Sequence, residues 1–142
     1  MATSLPDTVA NRVERLCSEG DAFAADARYA AATLRFTTAF RLLPRPQERW
    51  TVTPKIFASV VDACLAKGDL ISARHAALAA LDCPDVRDNA ALHLRLGEIY
   101  FEEGNLELAR EELALAFKQG GQEVFEDEDP KYWEFLSEVE DL

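Results

Sequence analysis

The sequence predicts an all-α fold, a solenoid of three helix hairpins plus a C-terminal capping helix. Three apolar stripes at spacings of three and four carry that reading. They are Tyr29, Ala32, Phe36, Ala39 and Phe40; then Leu70, Ala73, Ala77, Ala80 and Leu81; then Leu106, Ala109, Leu113, Ala116 and Phe117. Each stripe follows another helical segment that ends in a break: Asp26-Ala27-Arg28, Lys67-Gly68-Asp69 and Glu103-Gly104-Asn105. Strand signals are nearly missing, with no alternating apolar and polar run and no Asn-Gly hairpin turn.

The breaks at Ala27, Gly68 and Gly104 are 41 and 36 residues apart, the period of a helical solenoid. The first helix is expected over 6–25, with Pro6 in its first turn, where a fixed φ and a missing N–H cost nothing. The second, over 28–43, is stopped by Pro44 and Pro46, which lack the donor and clash with the preceding turn. Helices over 53–67 and 70–82 follow, the latter stopped by Pro84. Helices over 88–103 and 106–119 make the third hairpin, ended by Gly120-Gly121. A seventh begins at Asp129-Pro130, a good N-cap before a good first residue, and runs through Tyr132, Trp133, Phe135 and Leu136. It would cover the core face that a terminal hairpin leaves open. The repeats so defined are about 6–46, 50–84 and 87–120, with the cap at 129–142, in a single domain over 1–142. Ala32, Ala73 and Ala109 fall at equivalent places in the second helices, as do Ala39, Ala80 and Ala116. Small side chains there let paired helices approach, with Phe36 or Leu113 filling the gap between them.

A chain of 142 residues with 49% apolar content can bury a core and is not expected to be disordered. Met1-Ala-Thr-Ser-Leu-Pro has no basic segment and no apolar run, so no signal peptide is expected. No stretch approaches the roughly 18 apolar residues of a membrane span, and a cytoplasmic location is expected. Cys17, Cys64 and Cys83 fit neither a disulfide framework nor a zinc spacing, and read as free, mostly buried thiols.

The formal charge of −11 is unevenly spread: Gly121 to Leu142 holds nine acidic residues and one basic, a net −8. Phosphate backbones and anionic lipid repel such a chain, so neither nucleic acid nor membrane is expected as a partner. A basic protein surface is its natural complement, although acidity also serves solubility alone. No HExxH, GxSxG, Walker or GxGxxG pattern occurs, so no enzyme activity, metal or cofactor is expected. His93 is read as a buried or interfacial residue, and Trp50 and Trp133 as packing anchors.

The repeat resembles the tetratricopeptide repeat (TPR) across nearly the whole chain. Its best copy has Leu96-Gly97 and Tyr100 on the first helix, Gly104 and Leu106 at the turn, and Ala109, Leu113, Ala116 and Phe117 on the second. The first copy gives Gly20, Phe23, Tyr29, Ala32, Phe36, Ala39 and Pro44, with Glu19 where Leu is usual. The middle copy keeps Phe57, Gly68, Leu70, Ala73 and Ala80, but Val61 stands in the place of the first Gly, a departure expected to widen one helix crossing. The resemblance implies a right-handed solenoid whose first helices line a concave groove for a protein ligand. It places Glu14, Cys17, Asp21 and Ala24 in that groove from the first hairpin. From the second come Lys55, Ala58, Asp62 and Leu65, and from the third Leu94, Arg95, Glu98, Phe101 and Glu102. Asp21, Asp62 and Glu98 share one slot, where a carboxylate-clamping member of the family has Lys and Asn, so clamping of a peptide C-terminus is disfavoured. Stacked carboxylates would focus a negative potential for Lys or Arg, with Leu65 and Phe101 as apolar anchors; the plain alternative is solvated helix-face charge.

Glu126, Asp127, Glu128 and Asp129 precede the seventh helix, where negative charge suits the helix N-terminus. Four carboxylates exceed what one helix end can use, leaving the rest solvated or against a basic surface. The run from Glu123 through Asp129-Pro130-Lys131-Tyr132 resembles the tail of small bacterial TPR proteins found near polymorphic, Rhs-type toxin loci. So do Leu42-Leu43-Pro44-Arg45-Pro46 with Trp50, Leu81-Asp82-Cys83-Pro84, and His93-Leu94-Arg95-Leu96-Gly97. That resemblance implies an immunity protein that binds and neutralises a cognate toxin with a basic surface. A chaperone for a secreted effector and a plain scaffold or adaptor are the alternatives.

Overall fold

The computed structural model describes residues 4–84 and 86–142. The reading of the first residues as leaderless falls in part on Met1-Ala-Thr, outside the described residues. Seven α-helices and no strand occur among the described residues: α1 Asp7–Ala25, α2 Tyr29–Leu42, α3 Val52–Lys67, α4 Leu70–Leu81, α5 Ala90–Glu102, α6 Leu106–Gly120 and α7 Pro130–Val139. They form two compact units that divide after Pro84. In the first, α1 packs on α2, α2 on α3, and α3 on α4; in the second, α5 packs on α6 and α7 on α6.

Three turns join the paired helices by one hydrogen-bond pattern. Arg28 N–H donates to Phe23 O and Ala27 N–H to Ala24 O; Asp69 N–H donates to Cys64 O and Gly68 N–H to Leu65 O; Asn105 N–H donates to Tyr100 O and Gly104 N–H to Phe101 O. These satisfy carbonyls that a helix C-terminus otherwise leaves open, and they require one left-handed residue. Gly68 and Gly104 supply it at φ 86° and 82°, whereas the first turn uses Ala27 at φ 58°. The residue that follows opens the next helix. Asp69 and Asn105 cap it by accepting from Ser72 N–H and Leu108 N–H, while Arg28 makes no cap. Arg28 and Arg35 instead lie against the Phe23 ring, at 4.8 and 5.3 Å from its centroid. Glu19, which stands where the repeat pattern expects Leu, pairs with Arg35 at 3.4 Å.

Helix α1 starts one residue later than expected, with Pro6 extended at ψ 142° as its N-cap. Helix α2 stops before Pro44. Its connection to α3 is then held by Gln47 Nε2 donating to Phe40 O, Trp50 Nε1 to Pro44 O and Thr53 Oγ1 to Gln47 O. Trp50 thereby packs against the core of Val13, Ala32, Phe36, Ala39, Leu43 and Ile56. The core of the second unit joins Leu94, Leu113, Ala116, Phe125 and Leu136, with Trp133 packed on it between Phe117 and Phe125. Asp129 caps α7 by accepting from Lys131 N–H at 3.0 Å, with Pro130 in its first turn, as the sequence predicts. Cys64 and Cys83 are buried and Cys17 half-buried, all three free.

Candidate partner-binding surfaces

In the first unit α1 and α3 flank a cleft of about 410 Å³. Spacings of three and four put Ala10, Val13, Glu14, Cys17 and Asp21 on one side of α1, and Val52, Lys55, Ile56 and Ser59 on one side of α3. Val13 and Ile56, 3% and 2% exposed, make an apolar floor. Glu14 and Asp21 are exposed on the α1 wall and Lys55 on the α3 wall. Glu14 and Asp21 are seven positions apart on α1, two helical turns or about 10 Å along its axis. Burial, then the Asp21 charge, push the Cys17 thiol up, so it lines the cleft as a protonated, poorly nucleophilic group.

The structure thus brings Glu14, Cys17, Asp21 and Lys55 together. Asp62, exposed, and Leu65, half-buried, lie further along α3 and outside that lining. The cleft floor was not picked out by sequence reasoning. Its signal is the apolar neighbour of two of the charged residues, Val13 beside Glu14 and Ile56 beside Lys55.

In the second unit the chain itself takes the side chains that the sequence assigned to a partner. Glu98 is not a solvated wall charge: it is 5% exposed. Arg95 Nη1 donates to Glu98 Oε1 at 3.1 Å and also to Glu128 Oε1, from the turn before α7. Glu98 Oε2 is buried with no hydrogen-bond partner. Burial and the neighbouring Glu128 push the Glu98 carboxyl up to about 8 against the pull of Arg95, while the Glu98 hydrogen bond and Arg95 hold Glu128 low. Glu128 therefore meets a basic group of its own chain. Of the acidic run, Asp129 caps α7, and Glu126 and Asp127 are exposed.

Phe101 and Glu102 are engaged in the same way. The Phe101 ring meets Tyr132 and Phe135 edge-on, at 5.3 and 5.2 Å. Glu102 Oε1 accepts from Tyr132 Oη at 2.7 Å and pairs with Lys131 Nζ at 2.6 Å. The Lys131 and Tyr132 hydrogen bonds hold the Glu102 carboxyl below its usual range, and burial with Glu102 pushes the Tyr132 hydroxyl up. The aromatic side of α7 needs cover, and Phe101 is an aromatic within its reach. Arg95, Glu98, Phe101 and Glu102 thus form an internal clamp for the C-terminal segment.

His93 is buried, as the sequence predicts. Its Nδ1 lies 2.6 Å from Glu112 Oε2 and its Nε2 2.8 Å from Arg87 O, which ties the start of α5 to α6. No described helix is long and apolar enough to cross a membrane. No protein-family model matches the chain, and no curated protein matches it.

Proposed function

We propose that the chain is a TPR-type protein-binding module acting as an immunity protein, which binds and neutralises a cognate polymorphic toxin. The observation that carries the binding reading is the α1–α3 cleft, with its apolar floor between the carboxylates of Glu14 and Asp21 and the ammonium of Lys55. Such a cleft receives an apolar side chain of the partner while Glu14 and Asp21 pair with Lys or Arg on either side of it. Charge matching of this kind sets orientation and encounter rate, and the apolar anchor supplies slow release. The −11 charge of the chain favours a basic partner over an acidic one. The toxin assignment is supported by the resemblance of the Glu123–Tyr132 run to TPR proteins near toxin loci.

The test is expression of the protein encoded beside this chain's gene, alone and together with this chain. The expected result is a neighbour that arrests growth alone, is tolerated with this chain, and co-purifies with it less well at high salt. Glu14→Lys combined with Asp21→Lys should abolish protection at an unchanged melting temperature. A neighbour that is harmless alone rules out the immunity role. A neighbour whose export falls without this chain supports the effector chaperone instead.

A further inference from the structure

The segment after Phe125 is held on α5 at its start by two carboxyls and one guanidinium. Arg95 Nη1 bridges Glu98 and Glu128, and the second oxygen of Glu98 lies buried without a partner. Two carboxylates beside one cation leave a net negative charge around a Glu98 side chain that is almost fully buried, and one bound proton removes it. The proton also gives Glu98 a donor for Glu128, so the closed arrangement is complete only in the half-protonated state. The two glutamates differ in freedom. Glu98 is fixed in the middle of α5, whereas Glu128 sits in a turn and can leave.

We infer that Glu128 to Val139 is a proton-operated latch, closed on α5 while the Glu98–Glu128 pair holds one proton and loosened when that proton is lost. Loosening uncovers the side of α5 that carries Phe101 and Glu102, a surface otherwise spent on Tyr132, Phe135 and Lys131. The inference does not depend on the partner proposed above, because every group in it belongs to the second unit.

The groups around Glu98 account for the direction. On α5 are Arg95, which favours its charge, and Glu102, whose own charge is matched by Lys131. From the turn and α7 come Glu128, Asp129, Lys131 and Tyr132. On α6, Glu112 is taken by His93. In the short helical turn Gln122–Phe125 the acidic residue is Glu123, which is exposed. Burial with the nearby carboxylate outweighs the single guanidinium, and Glu98 keeps its proton up to about 8.

The experiment follows acrylamide quenching of Trp133 in the full chain, with Trp50→Phe so that one indole reports. Over roughly pH 6 to 9.5 quenching should rise about twofold, with a midpoint near that of Glu98. Glu98→Gln, which keeps shape and loses the titration, should stay at the low value throughout. Glu128→Gln removes the like charge and should move the midpoint lower. A flat profile in the parent chain, or the same rise retained in Glu98→Gln, overturns the latch. Circular dichroism of each variant confirms that helix content is kept, so that quenching reports the segment and not unfolding.

Discussion

A Cβ on Gly97 would lie 2.6 Å from Leu113 Cδ2 and 3.1 Å from the Leu113 backbone nitrogen, so the missing methyl is the space into which Leu113 packs. The first hairpin repeats the relationship, since a Cβ on Gly20 would lie 2.5 Å from Phe36 Cε1. In the middle hairpin the equivalent positions are Val61 and Ala77, both buried, and the bulk stands on the first helix instead of the second. Gly97→Ala should therefore destabilise the second unit by about 1–3 kcal/mol, because the backbone behind Leu113 cannot yield. Urea unfolding measures this. Gly20→Ala should cost less, since a ring and not a backbone atom meets the new methyl.

Ala27 carries φ 58° in a turn whose two counterparts are glycine. A left-handed alanine costs about 1 kcal/mol, and Gly removes that strain at a small entropic cost. Ala27→Gly is expected to leave stability unchanged or raise it by up to about 1 kcal/mol, read from the urea midpoint. Gly68→Ala and Gly104→Ala should instead each lower it by about 1 kcal/mol, through backbone strain alone, since a Cβ at either position meets open space.

The stability of the second unit should depend on pH in a way that one residue explains. The unfolded chain releases the Glu98 proton near the ordinary 4.5, whereas the folded chain keeps it to about 8. Between those values the unfolded state binds fewer protons, so stability falls as pH rises through the window. Glu128, held low in the folded state, acts oppositely: its contribution is present above the ordinary carboxylate range and is lost as pH falls. The melting temperature should peak between the two effects. Glu98→Gln should remove the fall toward pH 8 and leave the acid side in place.

Leu136 is fully buried in the cluster with Leu94, Leu113, Ala116 and Phe125. Leu136→Ala should cost about 2–5 kcal/mol, a cavity loss that loosens α7 from the α5–α6 hairpin. Protease cleavage in the last helix, fast in the variant and slow in the parent chain, is the direct readout.

Much of this architecture was legible because it is written locally. Glycine and proline punctuate the helices, side chains at spacings of three and four define their buried sides, and Asp129-Pro130 announces α7. The aromatic side of α7 was legible as a lid as well. What it covers was not, because Arg95 and Glu128 are 33 residues apart and spacing along α5 reveals which side chains share a face, not what lies against them. The burial of Glu98 is hidden from the sequence for the same reason. Glutamate is rarely buried, and its burial here depends on a turn from a distant part of the chain. In the first unit α1 and α3 themselves set the cleft walls, and Glu14, Asp21 and Lys55 stand where helix periodicity puts them.

Docking of a basic, partly apolar segment in the α1–α3 cleft, as proposed, is read from the binding isotherm of the protein encoded beside this chain's gene, measured against the parent chain and the Glu14→Lys, Asp21→Lys double variant. A loss of affinity of at least about tenfold, roughly 1.4 kcal/mol, is expected at an unchanged melting temperature. Affinities equal within about twofold would contradict it, because charge reversal on one wall cannot leave a docked basic segment undisturbed.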